Sequence, residues 1–194
     1  KILFKKPSDG NLGIGHVRWA THGIPNVVNA HPHSSEIVSV VHNGIIENSD
    51  EIKKDLESKG LKFKSQTDTE VITLLISEAL KNSEPLDSVF NTLKQLKGSF
   101  ALGIIFKDYN DIIIGARRGS PLAVGYSNKE NYLGSDSYAL KSMTNKISYL
   151  DDGDLCILSK DKVEFYDGNK RKINKKVYAL SDDANISDKG DYKN

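Results

Sequence analysis

The chain has 194 residues, of which 38% are hydrophobic and 27% are charged, so it can bury one sizeable core. Its 27 basic and 26 acidic side chains nearly balance, which argues against a general positive field for nucleic acid. A single cysteine argues against a disulfide scaffold, and no segment is typical of a membrane span or a signal peptide. We therefore expect a cytoplasmic protein with neither nucleic-acid nor membrane partners.

Apolar residues at spacings of three and four predict three helices in the first half of the chain. The first begins at an Asn48 or Ser49 cap and ends at Gly60, and the others cover residues 68–81 and 85–97. The predicted buried faces are Ile52 and Leu56, then Val71, Leu74, Leu75 and Ala79, then Leu86, Val89, Leu93 and Leu96.

Short apolar or alternating runs predict strands before and after these helices. The predicted strands are residues 37–41, 100–106, 111–116, 122–126, 131–135, 154–158 and 163–166. A strand, three helices and then many strands imply an α+β domain whose sheets are covered by helices.

Residues 15–23 place a cation, an indole, a hydroxyl and two imidazoles between glycines. Arg18 offers a planar fork of donors suited to a carboxylate, and Thr21 and His22 can hydrogen-bond a small polar ligand. Taken one residue at a time, the segment also fits an edge strand with a surface Arg18 and a half-buried Trp19. The combination favours a binding loop.

Two further segments add polar groups. Asn43 and Gly44 follow an apolar run, so the sequence predicts a turn at a strand end, and Asp68 comes just before the second helix. An Arg for a carboxylate, an Asp for an ammonium and Asn-Gly donors for an oxyanion together indicate an amino-acid amide such as glutamine. Both segments have structural alternatives, because Asn-Gly is a common hairpin pair and Asp68 can act as a helix N-cap.

All five histidines lie between residues 16 and 42, which raises the question of a metal site. His31 and His33 flank Pro32, no cysteine is nearby, and we expect the two side chains on opposite faces of an extended segment. We therefore predict no metal site.

These motifs together resemble a known family. Residues 16–23, 29–33, 41–48 and 67–70 look like the glutaminase domain of class II glutamine amidotransferases of the glucosamine-6-phosphate synthase type. Trp19-Ala20-Thr21 favours that branch, because purine-pathway relatives usually carry Tyr-Ser-Thr. The resemblance implies the four-layer αββα sandwich of the N-terminal-nucleophile hydrolases and hydrolysis of L-glutamine without a cofactor.

The resemblance also implies how the substrate is held. Arg18 would grip the α-carboxylate of glutamine, and Thr21 and His22 would complete this grip on a loop that closes over the substrate. Asp68 would receive the substrate ammonium group.

The same resemblance implies roles around the reacting amide. The Asn43 side chain and the Gly44 N–H would form the oxyanion hole. Trp19 would form a gate or wall of the pocket, with core packing as the alternative, and His31 would position loops.

In this family the nucleophile is the N-terminal cysteine of the mature protein, and its free α-amine acts as the base. Position 1 here is Lys1, and Cys156 lies in a strand-like segment where a small buried hydrophobe is expected. We therefore expect that the first segment of the family domain is missing and that this polypeptide as written has no glutaminase activity.

The expected organisation is an N-terminally incomplete amidotransferase domain at residues 1–190 and, at residues 191–194, the start of a linker to a sugar isomerase domain. In the full enzyme, a homo-oligomer by expectation, that domain would use the ammonia to convert fructose 6-phosphate to glucosamine 6-phosphate. Two alternatives stay open: the glutaminase domain of another class II amidotransferase, and a non-catalytic glutamine-binding module if Lys1 is the true N-terminus.

Overall fold

The computed structural model describes residues 10–18 and 22–180. The helices in these residues are α1 (Ser49–Ser58), α2 (Thr69–Ala79), α3 (Pro85–Leu93) and α4 (Ser137–Leu140). The strands are β1 (His33–Ser34), β2 (Val38–Ile46), β3 (Gly98–Phe106), β4 (Tyr109–Arg118), β5 (Ala123–Tyr126), β6 (Asn131–Gly134), β7 (Lys146–Tyr149), β8 (Leu155–Leu158), β9 (Val163–Tyr166), β10 (Lys172–Ile173) and β11 (Tyr178–Ala179).

The strands form two antiparallel sheets. The larger sheet has seven strands in the order β1-β2-β3-β4-β8-β9-β10, and the smaller has four in the order β11-β7-β5-β6. In the larger sheet, β2 and β3 pair along their full length, from Val38 opposite Phe106 to Ile46 opposite Gly98. This long pairing gives the site a rigid base, because the predicted site residues Asn43 and Gly44 lie within it.

The described residues stack in four layers. Because side chains alternate along a strand, Phe100 and Leu102 of β3 point toward α1, α2 and α3, whereas Ala101 packs between the two sheets. On the far side of the smaller sheet, Leu140 of α4 packs against Ala123 and Ile147. This arrangement confirms the predicted α+β class and its αββα order.

The three long helices follow the predicted pattern, with differences at their ends. In α1, Ile52 and Leu56 are buried and Gly60 lies just beyond the end with φ +87°. Asn48 occupies the N-cap position, but its side chain does not cap the helix. Instead it donates to the Gln95 carbonyl (2.9 Å) and accepts from the Lys97 N–H (2.8 Å), which fastens α1 to the segment before β3.

The predicted buried face of α2 is only partly right, because Val71 and Leu75 are buried whereas Leu74 and Ala79 are half-buried. Ile72 and Ile76 are fully buried although they lie outside the predicted stripe, because α2 packs against α1, α3 and the larger sheet together. The third helix ends at Leu93, before the predicted residue 97. Arg118 of β4 donates to the carbonyls of Leu93 (3.3 Å) and Leu96 (2.8 Å), so a side chain satisfies carbonyls that a longer helix would pair.

The predicted strands of the second half are confirmed with small shifts of their ends. Five short elements were not predicted, namely β1, α4, β7, β10 and β11, which are two to four residues long. The strands β1, β10 and β11 have only two residues each, which is too short to show a period. Among the described residues, no helix has the length and hydropathy needed to cross a membrane.

Candidate active site

A small cavity of about 170 Å³ brings together most of the predicted site residues. Its walls include Arg18, His22, His31, Asn43, Gly44 and Asp68, with His16, His42, Thr67 and Thr69 among the further lining residues. Trp19 and Thr21 lie outside the described residues, so their predicted roles stay predictions.

Asn43 and Gly44 lie inside β2, not in a turn. The expectation of a turn at a strand end is wrong, because β2 continues to Ile46 and pairs Asn43 with Ala101 and Gly44 with Phe100 of β3. The hairpin alternative for Asn-Gly is excluded by the same pairing. The Asn43 side chain is exposed, and its Oδ1 lies 2.6 Å from Nε2 of His16.

The edge of β2 that faces away from β3 presents backbone donors to the cavity. The His42 N–H donates to Nδ1 of His31 (3.3 Å), and the Ile46 N–H donates to Oδ2 of Asp68 (2.8 Å). N–H groups alternate in direction along a strand, so we expect the Gly44 N–H, midway between them, to face the same edge.

Asp68 is buried at the N-terminus of α2, with 6% of its surface exposed. It occupies the N-cap position, yet its side chain makes no capping hydrogen bond. Its Oδ2 accepts the Ile46 N–H instead, and its Oδ1 lies 3.9 Å from Nδ1 of His22. The N-cap alternative therefore does not explain this side chain. Asp68 lines the cavity at the start of α2.

Arg18 organises the loop that follows it. Its Nη2 donates to the carbonyls of His22 and Gly23 (3.2 Å for Gly23), and its Nη1 donates to the carbonyl of Ile24 (3.3 Å). The motif predicted that Arg18 binds a ligand carboxylate, and its bonds to the loop carbonyls were not predicted. A guanidinium has five N–H groups, so holding the loop and lining the cavity are compatible.

Asn29 is a structural residue of the site that the sequence analysis did not single out. It is 1% exposed, and its Nδ2 donates to the Ile24 carbonyl (3.0 Å) and to Oε1 of Gln66 (3.1 Å). Its Oδ1 accepts the Gln66 N–H (2.9 Å). Asn29 thus joins the loop after Arg18 to the segment that leads into Asp68, and its place in the matched motif at residues 29–33 was the signal that could have found it.

Four histidines form a connected group beside the cavity. His16 stacks on His31 with ring centroids 4.3 Å apart, and His31 meets His33 edge-on at 5.0 Å. The expectation that His31 and His33 face opposite sides is wrong, because residues two apart in an extended segment lie on the same face. Nδ1 of His42, the fourth, lies 3.0 Å from Oγ1 of Thr69.

Burial lowers the pKa of three of these rings and so favours their neutral form. Desolvation, reinforced by the neighbouring imidazoles and by Arg18, lowers the pKa of His31 to about 3. Burial is also the main cause that lowers the pKa of His33 and of His42. Within residues 10–18 and 22–180, no three His, Cys, Asp or Glu side chains are arranged to hold a metal ion.

Residues 26–142 match the family described as a glutamine amidotransferase domain. The chain belongs to this family. Its relatives include the isomerizing glutamine–fructose-6-phosphate aminotransferases of Zymomonas mobilis, 46% identical over all 194 residues, and of Mesorhizobium japonicum, 48% identical over 97% of the chain. The chain spans 32% and 31% of these two proteins, about a third of their length.

The fold of this amidotransferase domain is shared with a solved structure. The glutamine phosphoribosylpyrophosphate amidotransferase from B. subtilis, complexed with ADP and GMP, is 26% identical to the chain with a TM-score of 0.64. The match covers 81% of this chain and 35% of that one. This likeness confirms the predicted fold class, the sandwich of the N-terminal-nucleophile amidotransferases.

Cys156 is not placed to act as the nucleophile of the amidotransferase domain. It is 0% exposed in β8, and it packs between the two sheets with Ala101 and Val124. Burial raises the pKa of its thiol to about 12. A thiol that is neither accessible nor ionised near neutral pH is a poor nucleophile, so the prediction of a small buried hydrophobe is confirmed.

Proposed function

We propose that this domain binds L-glutamine in the small cavity and is the glutaminase half of a glucosamine-6-phosphate synthase. In that reaction, ammonia from glutamine converts fructose 6-phosphate to glucosamine 6-phosphate. The observation that supports this most is that a buried carboxylate, Asp68, and the amide groups of Asn43 and Gly44 line one cavity. Its volume of about 170 Å³ is below that of pockets for drug-sized ligands, about 300–1,000 Å³, and suits an amino acid.

In this proposal the substrate ammonium pairs with Asp68. One oxygen of this carboxylate accepts the Ile46 N–H, which fixes the orientation of the group. The substrate ammonium binds at the other oxygen, Oδ1, which lies 3.9 Å from Nδ1 of His22 in the structure. The substrate carboxylate lies toward Arg18, whose planar guanidinium suits paired bonds to two oxygens. The amino acid is therefore recognised through both of its charged groups, and its side-chain amide extends toward Asn43.

The amide carbonyl is placed at Asn43 and Gly44. When a thiolate adds to the carbonyl carbon, negative charge develops on the oxygen, and two N–H donors already in place stabilise it better than water that must reorient. The thiol is the N-terminal cysteine that the family resemblance implies, and Cys156 does not supply it. A second cavity of about 540 Å³ shares His16 and Asn43 with the first, so it offers a route by which a thiol could reach the carbonyl.

The acceptor is proposed from the relatives. The proteins that share 46% and 48% identity with this chain are named as fructose-6-phosphate aminotransferases, whereas the phosphoribosylpyrophosphate enzyme shares 26%. We propose that residues up to 190 form the amidotransferase domain, followed by the start of a linker to a sugar isomerase domain, and that the full enzyme is a homo-oligomer.

The proposal is tested in the full-length protein by measuring glutamine binding by calorimetry and the rate of glutamate release. Both are compared between the parent and Asp68→Asn. Asparagine keeps an acceptor for the Ile46 N–H and removes the charge, so we expect the fold to persist and the KM for glutamine to rise roughly 10- to 100-fold. Glu36→Gln removes an exposed charge outside the cavity and serves as the control.

The outcomes separate the proposal from its alternatives. Glutamate release with synthesis of glucosamine 6-phosphate supports it. Glutamate release without this product indicates another acceptor, and glutamine binding without hydrolysis indicates a non-catalytic module. Unchanged KM in Asp68→Asn contradicts the placement of the ammonium group.

A further inference from the structure

We propose that His16 is a positioning residue of the oxyanion hole: its Nε2–H holds Oδ1 of Asn43, so that the Asn43 N–H groups are turned toward the reacting carbonyl. This inference rests on the proposed function, because it concerns how that site is kept ready for reaction.

The orientation of Asn43 decides whether it can serve as a donor. The two ends of a side-chain amide have nearly the same shape, so hydrogen-bond partners determine which end faces where. Nε2 of His16 lies 2.6 Å from Oδ1 of Asn43. A carbonyl oxygen only accepts, so in this orientation Nε2 carries the proton. In the reversed orientation, Oδ1 would point its lone pairs at the developing negative charge and repel it.

The surroundings of His16 favour the proton on Nε2. Its Nδ1 is shielded from solvent and has no hydrogen-bond partner among the residues that the structure describes. A proton on Nδ1 would create a buried N–H without an acceptor, which is unfavourable, whereas a proton on Nε2 meets Oδ1 of Asn43. The tautomer of His16 and the orientation of Asn43 are thus determined together.

The ring of His16 is itself held in place. It stacks on His31 with a centroid distance of 4.3 Å and an interplanar angle of 26°. His31 is in turn fastened to β2, because its Nδ1 accepts the N–H of His42, the residue before Asn43. The strand that carries Asn43 therefore also positions the ring that orients it.

Kinetics in the full-length protein tests this role. His16→Leu removes the donor at similar size, so we expect kcat for glutamine hydrolysis to fall roughly 10-fold with little change in KM. His16→Gln places an amide N–H near the former Nε2 and should recover most of the loss. In the double variant with Asn43→Ala, kcat should equal that of Asn43→Ala alone, because His16 acts through Asn43.

The inference would be overturned by losses that multiply in the double variant, or by a His16→Gln variant as impaired as His16→Leu. If Asn43→Ala itself keeps the parent kcat, the oxyanion assignment of the proposed function fails. If Asn43→Ala loses activity and a folded His16→Leu does not, only the inference about His16 fails, and the oxyanion assignment is not contradicted.

Nuclear magnetic resonance of the parent chain gives a readout that needs neither activity nor a variant. Long-range ¹H–¹⁵N correlations of the His16 ring, recorded where the ring is neutral, should show the proton on Nε2. A proton on Nδ1 means that Asn43 donates to His16 and turns its oxygen to the cavity, which contradicts the proposal.

Discussion

Replacing Gly44 by alanine tests whether the backbone at the proposed oxyanion hole can accommodate a side chain. Gly44 has φ +131°, which side chains rarely tolerate, and a Cβ built there lies 2.1 Å from the carbonyl oxygen of Ser99 on the paired strand. It also lies 2.8 Å from the Ser99 carbonyl carbon and 3.0 Å from Cα of Phe100. All three atoms are backbone, so no side-chain rotation relieves the contact.

The expected loss of stability has two parts. A non-glycine residue at a sparsely populated φ costs about 1–3 kcal/mol, and overpacking against surroundings that cannot yield costs about 1–3 kcal/mol more. Gly44→Ala should therefore lower the free energy of unfolding by about 2–6 kcal/mol. Since domains are stable by about 5–15 kcal/mol in total, the variant should lose a substantial share of its stability.

Urea unfolding followed by circular dichroism measures this, with two glycines as matched controls. Gly60 has φ +87° and no atom within 4 Å of a built Cβ, so Gly60→Ala should show the conformational cost alone, about 1–3 kcal/mol. Gly168 has neither a positive φ nor a close contact, and Gly168→Ala should change stability by less than about 0.5 kcal/mol. If Gly44→Ala is no less stable than Gly60→Ala, the paired strand can shift and the reasoning is refuted.

Four other measurements concern two cavity residues, the buried Cys156 and the 194-residue chain by itself. In the full-length protein, Asn43→Ala should lower kcat for glutamine hydrolysis by roughly 10²–10³-fold with KM nearly unchanged, because in the proposed site the Asn43 N–H acts mainly as the oxyanion forms. Equal turnover at saturating glutamine would contradict this. Arg18→Lys should raise the KM for glutamine and leave fructose 6-phosphate affinity unchanged, since the ammonium of lysine cannot replace the planar guanidinium that also binds the loop carbonyls. An unaltered KM for glutamine removes Arg18 from the site. Burial raises the pKa of Cys156 to about 12, so this thiol stays neutral at pH 8. Mass spectrometry should show that it resists iodoacetamide in the folded protein and reacts in guanidinium. Rapid labelling of the folded chain would argue against its burial. The 194-residue chain alone should release no glutamate, because its single cysteine, Cys156, is buried. Glutamate release that is lost in Cys156→Ala would contradict this expectation.

The local sequence pattern predicted the elements that are long enough to show a period. Apolar spacing found α1, α2 and α3, and a glycine marked the end of α1 at Gly60. The same reasoning failed for the two-residue strand β1, which is held by its pairing with β2, and for α4, whose four residues are too few to show a helical period. It also missed Ile72 on α2, because a helix covered by two other helices and a sheet buries more than one face.

In the candidate site, too, the sequence predicted the residue types and only the tertiary structure shows their arrangement. Sequence motifs identified Arg18, Asn43, Gly44 and Asp68 as candidate residues, and all four line one cavity. Only the tertiary structure places Asn43 within a paired strand, since the residue pair alone is equally suited to a turn and the pairing with β3 decides between them. A sequence motif shows which chemical groups are present. The direction in which each group points depends on its contacts with residues far away in the chain.

What the sequence determined by itself is therefore local: helical periods, a helix-terminal acid and an inventory of polar groups. What the tertiary structure decided is which of these groups meet. The Asp68 carboxylate accepts an N–H 22 residues earlier in the chain, and His16 reaches Asn43 across 27 residues. Such contacts form because packing of the sheets and helices brings distant segments together, and no short stretch of sequence carries that information.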